Sequence, residues 1–363
     1  MKIKIIGPYS PSCGISSPFR KGASGGASFI SVLSQTLDQY GFLTQQFDDA
    51  DILLLNSHHW YRNSLQVLAA KSSRANLRIV VRVDGPLAIV RGHNLSILDD
   101  LIIAFFIYLI ADGSIFQSQW SLDRFNAQFS CPRDVTVIHN GVDKRWFYGD
   151  PRVLPSHKKL SIVFSSWSPN LLKGFGFLDF LDNNLDFDRC DLLFVGNKPA
   201  TSQWENINVL GALDKRQLAE VYKQSHIYLF ASELESCSNS LLEALASGLY
   251  GVILESSSNR EIAGSCCEYF KTEEELINIL HNYANHKGIM GTARESVRSV
   301  EQVTASYLEY FSTMLNSKVR DFFFLQCVVF LAVFFPILII KSLGKASARA
   351  VHFFKHVLMM NDY

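Results

Sequence analysis

Two successive blocks of alternating strands and helices predict an α/β protein: two doubly wound parallel-sheet domains with a cleft between them. Short apolar runs bounded by glycine, proline or polar turns recur from residue 3 to 138 and again from 160 to 254. Helical stretches separate them, so the strands of each block are joined by crossovers and pair in parallel. A polar, proline-containing segment, Pro151 to Lys159, reads as the linker between the blocks.

In the first block, Ile3–Ile6 is a strand. A Gly/Ser/Pro-rich loop from Gly7 to Gly26 leads to a helix over Ala27–Tyr40, stopped by Gly41. Strand, glycine loop and helix form the opening of a Rossmann-like unit, although the loop lacks GxGxxG. Its glycines either admit a ligand close to the backbone or belong to a plain surface loop. Asp51–Asn56 is the next strand, and the acids at its start (Asp48, Asp49, Asp51) read as its polar lip in preference to a metal site. His58-His59 has no third metal ligand at suitable spacing and reads as a polar loop. Leu77–Val83 is a strand ending at Asp84, a position where α/β proteins bind ligands, so Asp84 is a site candidate or a turn former. Leu101–Ala111 is too short to cross a membrane and reads as a buried helix. Gly113–Gln117 and Val135–Ile138 are strands, with a helix over Trp120–Phe129 between them.

The second block contains strands at Leu160–Phe164, Asp191–Val195, Ile207–Gly211, His226–Ala231 and Tyr250–Leu254. Helices are expected near Phe175–Leu185, at Asp214–Gln224 and at Glu273–Asn285. The stretch Ser232–Gly248 holds a polar turn and a short helix, with Glu235 and Glu243 eight positions apart. Ser240 and Glu243 have capping-box spacing, which would gather backbone N–H groups into an anion site. Carboxylates beside an anion site suit a ligand with both phosphate and hydroxyl groups, such as a nucleotide sugar.

Composition narrows the function. Lys plus Arg and Asp plus Glu both number 34, so the chain has no formal net charge and no nucleic-acid partner is expected. The seven cysteines form no CxxC pair and read as reduced thiols of a cytosolic catalytic body. The first strand lacks the apolar length of a signal peptide. Phe322–Ile340, in contrast, runs 19 residues without a charge, enough for a bilayer core. Basic residues flank both ends: Lys318 and Arg320 before it; Lys341, Lys345, Arg349 and Lys355 after it. A re-entrant segment bent near Pro336, with Ala346–Met360 in the interface plane, reconciles these flanks with attachment to the cytoplasmic face; full crossing is the alternative. The expected units are 1–150, 151–300, a helix over 301–320 that returns to the first domain, and a membrane-anchoring segment with a basic tail at 321–363.

Several blocks together resemble the retaining GT-B glycosyltransferases of family 4, also called group 1 glycosyltransferases. They are Val137–Asp143, Lys173-Gly174-Phe175, Leu210-Gly211, Leu218–Tyr222, and Glu235…Glu243 with Glu243–Gly248. The resemblance spans roughly residues 2 to 315. It implies that the second domain holds a nucleotide sugar, with Glu235 on donor-sugar hydroxyls and Glu243 on the ribose. Backbone N–H groups of Asn239, Ser240 and Leu241 would meet the sugar and diphosphate. Lys173 would neutralise the leaving diphosphate without a metal or cofactor. Val209–Ala212, including Leu210 and Gly211, would lie along the base, and Gly25 and Gly26 would approach from the opposite domain. Gly196 and Asn197, at a strand end, join the donor-binding set. Two departures stand out. Where the family carries an arginine before the lysine, this chain has Ser165-Ser166-Trp167-Ser168, so Ser166 would share its work. Where the family often has a histidine, this chain has Arg82-Val-Asp84, with Asp84 as its replacement and Arg82 as the missing cation. The expected reaction is transfer of a sugar from a UDP- or GDP-sugar to a lipid-linked or polysaccharide acceptor of cell-surface glycan synthesis. The rivals are an inactive GT-B scaffold that recruits partners at the membrane, and a sugar-nucleotide epimerase.

Overall fold

The computed structural model describes residues 1–7, 25–92, 94–130, 134–151, 153–154, 159–285, 288–289, 296–318 and 324–360. The first domain runs β1 (Ile3–Ile6), α1 (Gly25–Gln39), β2 (Ile52–Asn56), α2 (Ser64–Ser73), β3 (Arg78–Val83), α3 (Leu87–Arg91), α4 (Ile97–Leu109), β4 (Gly113–Phe116), α5 (Gln119–Asn126) and β5 (Val135–Val137). The second opens with β6 (Val153–Leu154), β7 (Leu160–Ser166), α6 (Phe175–Asn184), β8 (Cys190–Gly196), β9 (Asn208–Gly211) and α7 (Lys215–Gln224). It continues with β10 (Ile227–Phe230), α8 (Asn239–Ala246), β11 (Tyr250–Leu254), α9 (Asn259–Ala263), β12 (Glu268–Phe270), α10 (Glu273–Asn285) and β13 (Gly288–Ile289). The chain ends with α11 (Val300–Asn316) and α12 (Phe324–Met360). Most of the glycine loop after β1, residues 8–24, lies outside the described residues; its last glycines, Gly25 and Gly26, form the first turn of α1.

Each domain is a parallel sheet covered on both faces. β1 to β4 are buried along their whole length, which is why they read as unbroken apolar runs. Lys4 is tolerated there because its ammonium lies over the Phe47 ring and donates to the Gln45 carbonyl at 2.6 Å. The strands lie in the order β1-β2-β3-β4-β5, and Leu43 bridges in parallel to Ile3 on the free side of β1. The chain therefore leaves β1 on one side and returns on the other. The carboxyl ends of β1 and β2 become a topological switch point, where open α/β sheets take ligands. The second sheet has the order β12-β11-β10-β7-β8-β9, so its switch point lies between β7 and β10.

Helix α11 packs Val303, Tyr307, Phe311 and Met314 onto the first sheet beside Ile3, Ile5 and Ile52, so the chain crosses back from the second domain to the first. Its start is fixed by a capping box between Ser299 and Gln302.

Some elements differ from the sequence expectation for physical reasons. Helix α2 escapes a pattern reading because one of its core positions is a lysine: Lys71 is buried and donates to Asp112 and to the Leu77 carbonyl. Part of the expected linker is β6, which pairs antiparallel with β13, more than a hundred residues away. Helices α3 and α9 and strand β12 are each five residues or shorter, too short to show a period.

The largest correction concerns the C-terminal apolar segment. It does not turn back at Pro336; α12 is a single helix that runs through the proline. One face completes the first domain. Cys327, Phe330, Phe334 and Ile337, at helical spacing, are buried in the same core as Trp60 and Phe106. Phe334 stacks on Trp60, and Phe330 meets Phe106 edge-on at 5.2 Å between centroids. Lys341 donates to the buried Asp99 of α4. The opposite face, Leu325, Val328, Val329, Phe335, Ile339, Ile340 and Leu343, is exposed. Leu325–Leu343 is long and apolar enough to cross a membrane.

These two faces separate in a mutational test. Phe330→Ala is expected to cost about 3–5 kcal/mol, the usual loss for a buried phenylalanine. Val329→Ala, on the open face, is expected to stay within about 0.5 kcal/mol. Denaturant unfolding of the detergent-purified protein measures both.

Candidate active site

The carboxyl ends of the two sheets meet across the cleft. The Ser236 hydroxyl donates to the Asp84 carbonyl at 2.9 Å. The Asn140 amide donates to Asn239 Oδ1 at 2.8 Å and to the Cys237 carbonyl at 3.3 Å.

On the second-domain side, the turn after β10 is held from the loop after β11. Asn259 Nδ2 donates to the Ser232 and Leu254 carbonyls, both at 2.9 Å. Ser258 Oγ donates to the Glu235 carbonyl at 2.8 Å, and the Glu235 N–H donates to Ser257 Oγ at 3.1 Å. This clamp ends the turn where α8 begins. The cap is Ser238, whose hydroxyl accepts from the Leu241 N–H at 3.4 Å. That corrects the expected Ser240/Glu243 capping box: Ser238 has the extended backbone a cap requires, and Ser240 is already inside the helix. The helix start still gathers Asn239, Ser240 and Leu241 on the cleft, where first-turn N–H groups and the helix dipole favour an anion.

Glu235 sits in this turn, accepting from Ser232 Oγ at 2.9 Å and paired with Lys173. The side chains of Lys173 and Glu235 keep 25% and 14% exposure, so a ligand can reach both. Lys173 arrives on a short turn capped by Asn170, whose side chain accepts from the Leu172 N–H. Gly174 next to it has φ 83°, and a Cβ there would stand 2.2 Å from the Ala231 carbonyl oxygen. Only glycine lets the lysine turn lie against the end of β10. The Glu233 N–H then donates to the Leu172 carbonyl at 2.9 Å and locks the two turns together.

Glu243 lies one turn into α8. Burial pushes its carboxyl up to about 7, against the pull of Lys215. Among the described residues nothing donates a hydrogen bond to it, so its oxygens are available to ligand hydroxyls.

The other expected site residues fall in three places. Ser166, Gly196 and Asn197 form one knot at the ends of β7 and β8: the Asn197 N–H donates to the Ser166 carbonyl at 3.0 Å, and Gly196 has φ 128° with no room for a Cβ. Leu210 and Gly211 end the edge strand β9, with Leu210 36% exposed and Gly211 at φ 71°. Gly25 and Gly26 open α1, which packs against α8.

Arg82 is placed differently from the expected donor-binding cation. It is fully buried, its guanidinium over the Phe29 ring, and it donates to Asn56 at 2.8 Å, to Asp84 at 2.5 Å and to Asn140 at 2.7 Å. Burial without partners would be costly for a guanidinium, so it is spent on these neighbours and orients Asp84 instead of facing the cleft. Asp84 also accepts from Gln117 at 2.8 Å.

Sequence reasoning missed Asn140, the residue that joins the two halves, although it stands inside the Val137–Asp143 block. It also missed Glu261 as a junction residue. That carboxylate accepts from the Gln119 and Trp120 N–H groups at the start of α5 and pairs with His139 at 2.9 Å. Burial raises its affinity for a proton, but the His139 and backbone hydrogen bonds outweigh this and hold it below the usual range. No local spacing announces such a contact, because its partners lie more than a hundred residues away.

The model of family 4 glycosyltransferases matches residues 14–146, and that of group 1 glycosyl transferases matches 168–281. The chain belongs to the family 4, group 1 glycosyltransferases. Solved structures agree on the GT-B fold. HepE from Anabaena, in complex with UDP and glucose, is similar at TM-score 0.60 and 14% identity, over 86% of this chain and 100% of that one. Sucrose-phosphate synthase from Thermosynechococcus elongatus is similar at TM-score 0.60 and 13% identity, over 87% and 88%. AviGT4, a glycosyltransferase involved in avilamycin A biosynthesis, is similar at TM-score 0.54 and 13% identity, over 87% and 98%. No curated protein sequence matches the chain.

Two substitutions test how this glycosyltransferase site is built. Gly174→Ala is expected to destabilise the protein and lift the lysine turn, read as a lower unfolding midpoint and weaker nucleotide binding. Glu243 has a folded-state pKa raised above its ordinary value, so it lowers stability as pH rises through that range to about 7. Glu243→Gln is therefore expected to unfold at a higher temperature than the native protein above about pH 7. The two should converge below about pH 4, where both side chains are neutral.

Proposed function

We propose that this glycosyltransferase moves a sugar from a nucleotide-diphosphate donor, UDP- or GDP-linked, to a lipid-linked or polysaccharide acceptor of cell-surface glycan synthesis. The observation that carries the reading is the Lys173–Glu235 pair beside the start of α8, with the unpartnered Glu243 one turn further on. Lys173 meets the diphosphate and stabilises the charge that develops as the glycosidic bond breaks. Glu235, freed from that pair, accepts from donor-sugar hydroxyls. The N–H groups of Asn239, Ser240 and Leu241 bind diphosphate and sugar oxygens, Glu243 takes the ribose hydroxyls, and Val209–Ala212 lies along the base. Asp84, held by Arg82 and Gln117, faces the reacting sugar from the first domain. The reaction runs with retention and without a metal, Lys173 supplying the positive charge. Complexes of HepE with UDP and with UDP-glucose support the choice of a nucleotide-sugar ligand.

The catalytic domains sit on the cytoplasmic face of a membrane through residues 322–340. The support is the row of exposed apolar residues on α12 and the basic residues that flank it in sequence. Such surface attachment suits polysaccharide, lipopolysaccharide or glycolipid assembly, where the acceptor is held in the bilayer.

The test is incubation of the purified protein with a panel of UDP- and GDP-sugars, with detection of released nucleotide. Lys173→Ala is expected to lower turnover by about 10²–10³, the usual cost of removing one charge-stabilising group. Glu235→Ala is expected to abolish donor hydrolysis. Nucleotide binding with no turnover in the native protein, acceptor extracts included, would favour the scaffold reading.

A further inference from the structure

The donor reading uses the switch point of the second sheet and leaves that of the first unoccupied. At the end of β2 the chain turns through Asn56, Ser57, His58 and His59, and of these the two histidines are partly exposed. Ser57 holds φ 47°, a left-handed conformation unusual for a non-glycine residue, and one often kept at binding sites. Asn56 Nδ2, Ser57 Oγ and His58 Nδ1 are buried and have no hydrogen-bond partner among the described residues. Asn56 and Ser57 are themselves fully buried. Three orphaned polar atoms in succession at a switch point are what a polar ligand group would satisfy. The His58 and His59 rings lie 4.2 Å apart, with Tyr61 6.1 Å from His58.

The charges around this turn favour an anion. Each neighbouring carboxylate already has its partner. Asp84 is held by Arg82, Asp99 by Lys341, and Asp100 accepts from the Leu87 and Ala88 N–H groups at 2.7 and 2.8 Å. Among the described residues, Arg91 remains as the cation, beside two imidazoles that burial keeps from charging. Arg91 is exposed at the end of α3, and its carbonyl accepts from Asn170 of the lysine turn at 3.2 Å. Burial, then the nearby His59 and Arg91, hold His58 down at about 3, so it meets a ligand as a neutral N–H donor.

The same turn touches the apolar flank of the molecule. The Tyr61 hydroxyl donates to the Asp99 carbonyl of α4 at 3.2 Å, and its ring packs edge-on against Phe334 of α12 at 5.4 Å. Beyond it lie the exposed Ile97 and Leu101 of α4 and the open face of α12. A ligand here would reach Asp84 at one end and an apolar surface at the other.

We propose that the His58–His59 turn, with Arg91, is a phosphate-binding subsite for a membrane-anchored acceptor that approaches along α4 and α12. This rests on the glycosyltransferase reading and deepens it: the acceptor carries a phosphate or diphosphate next to its lipid. The recognised chemistry is the phosphate, whether lipid-borne or free, and α12 argues for the lipid-borne form.

The full-length protein, with UDP saturating the donor site, is titrated with three probes: inorganic pyrophosphate, phosphatidylcholine vesicles, and the same vesicles doped with a polyprenyl diphosphate. The imidazole resonances of His58 and His59 report binding. Both are expected to move with the doped vesicles, weakly with pyrophosphate, and not with phosphatidylcholine alone. Arg91→Gln and the double variant His58→Asn/His59→Asn are expected to weaken binding to the doped vesicles at least tenfold, about 1.4 kcal/mol. Arg91→Gln is exposed and should keep the native unfolding midpoint and the native UDP affinity. Resonances unmoved by either phosphate probe, or native vesicle binding in Arg91→Gln, would overturn the subsite. Equal response to pyrophosphate and doped vesicles would overturn the membrane-anchored part. Failure of the native protein to bind UDP or any other nucleotide would instead sink the transferase reading beneath it.

Discussion

A single buried guanidinium organises the junction on which this molecule depends. Arg82 sits at the end of β3 with no exposure and donates to Asn56, Asp84 and Asn140. Taking such a charge out of water is tolerable only when its donors are matched by well-placed acceptors. Those acceptors come from three separate segments of the chain. Asn56 ends β2, Asp84 follows β3, and Asn140 passes the connection to Asn239 at the first turn of α8. The start of α8 is thus tied to the same cation that holds Asp84.

Around that junction the second domain builds its site from close backbone approach and hydroxyl clamps. Gly174 and Gly196 allow the ends of β7, β8 and β10 to come together at distances no side chain would permit. Ser232, Ser257, Ser258 and Asn259 then fix the Glu235 turn by hydrogen bonds instead of apolar packing. This is a preorganised polar surface, within which burial pushes the Glu243 carboxyl up to about 7.

The first domain makes a different compromise with α12. Helix α12 has one apolar stripe sunk into the core and another left open. The Lys341–Asp99 pair holds its register on α4.

The sequence by itself determined the two α/β blocks, because parallel strands buried on both faces leave long apolar runs and their crossovers leave helical periods. It also singled out Lys173, Glu235 and the start of α8, which the structure brings together, since they lie on local turns whose spacing is visible. Only the tertiary structure decided what lies between distant segments. The role of Arg82 follows from acceptors at positions 56, 84 and 140; the α8 cap follows from a dihedral angle at Ser238, not from the Ser240/Glu243 spacing. Asn140 and Glu261 bind across the domain junction, and the helix that continues through Pro336 packs on core partners at Trp60 and Phe106. A periodicity reports which face of an element is apolar, but not which surface that face will meet.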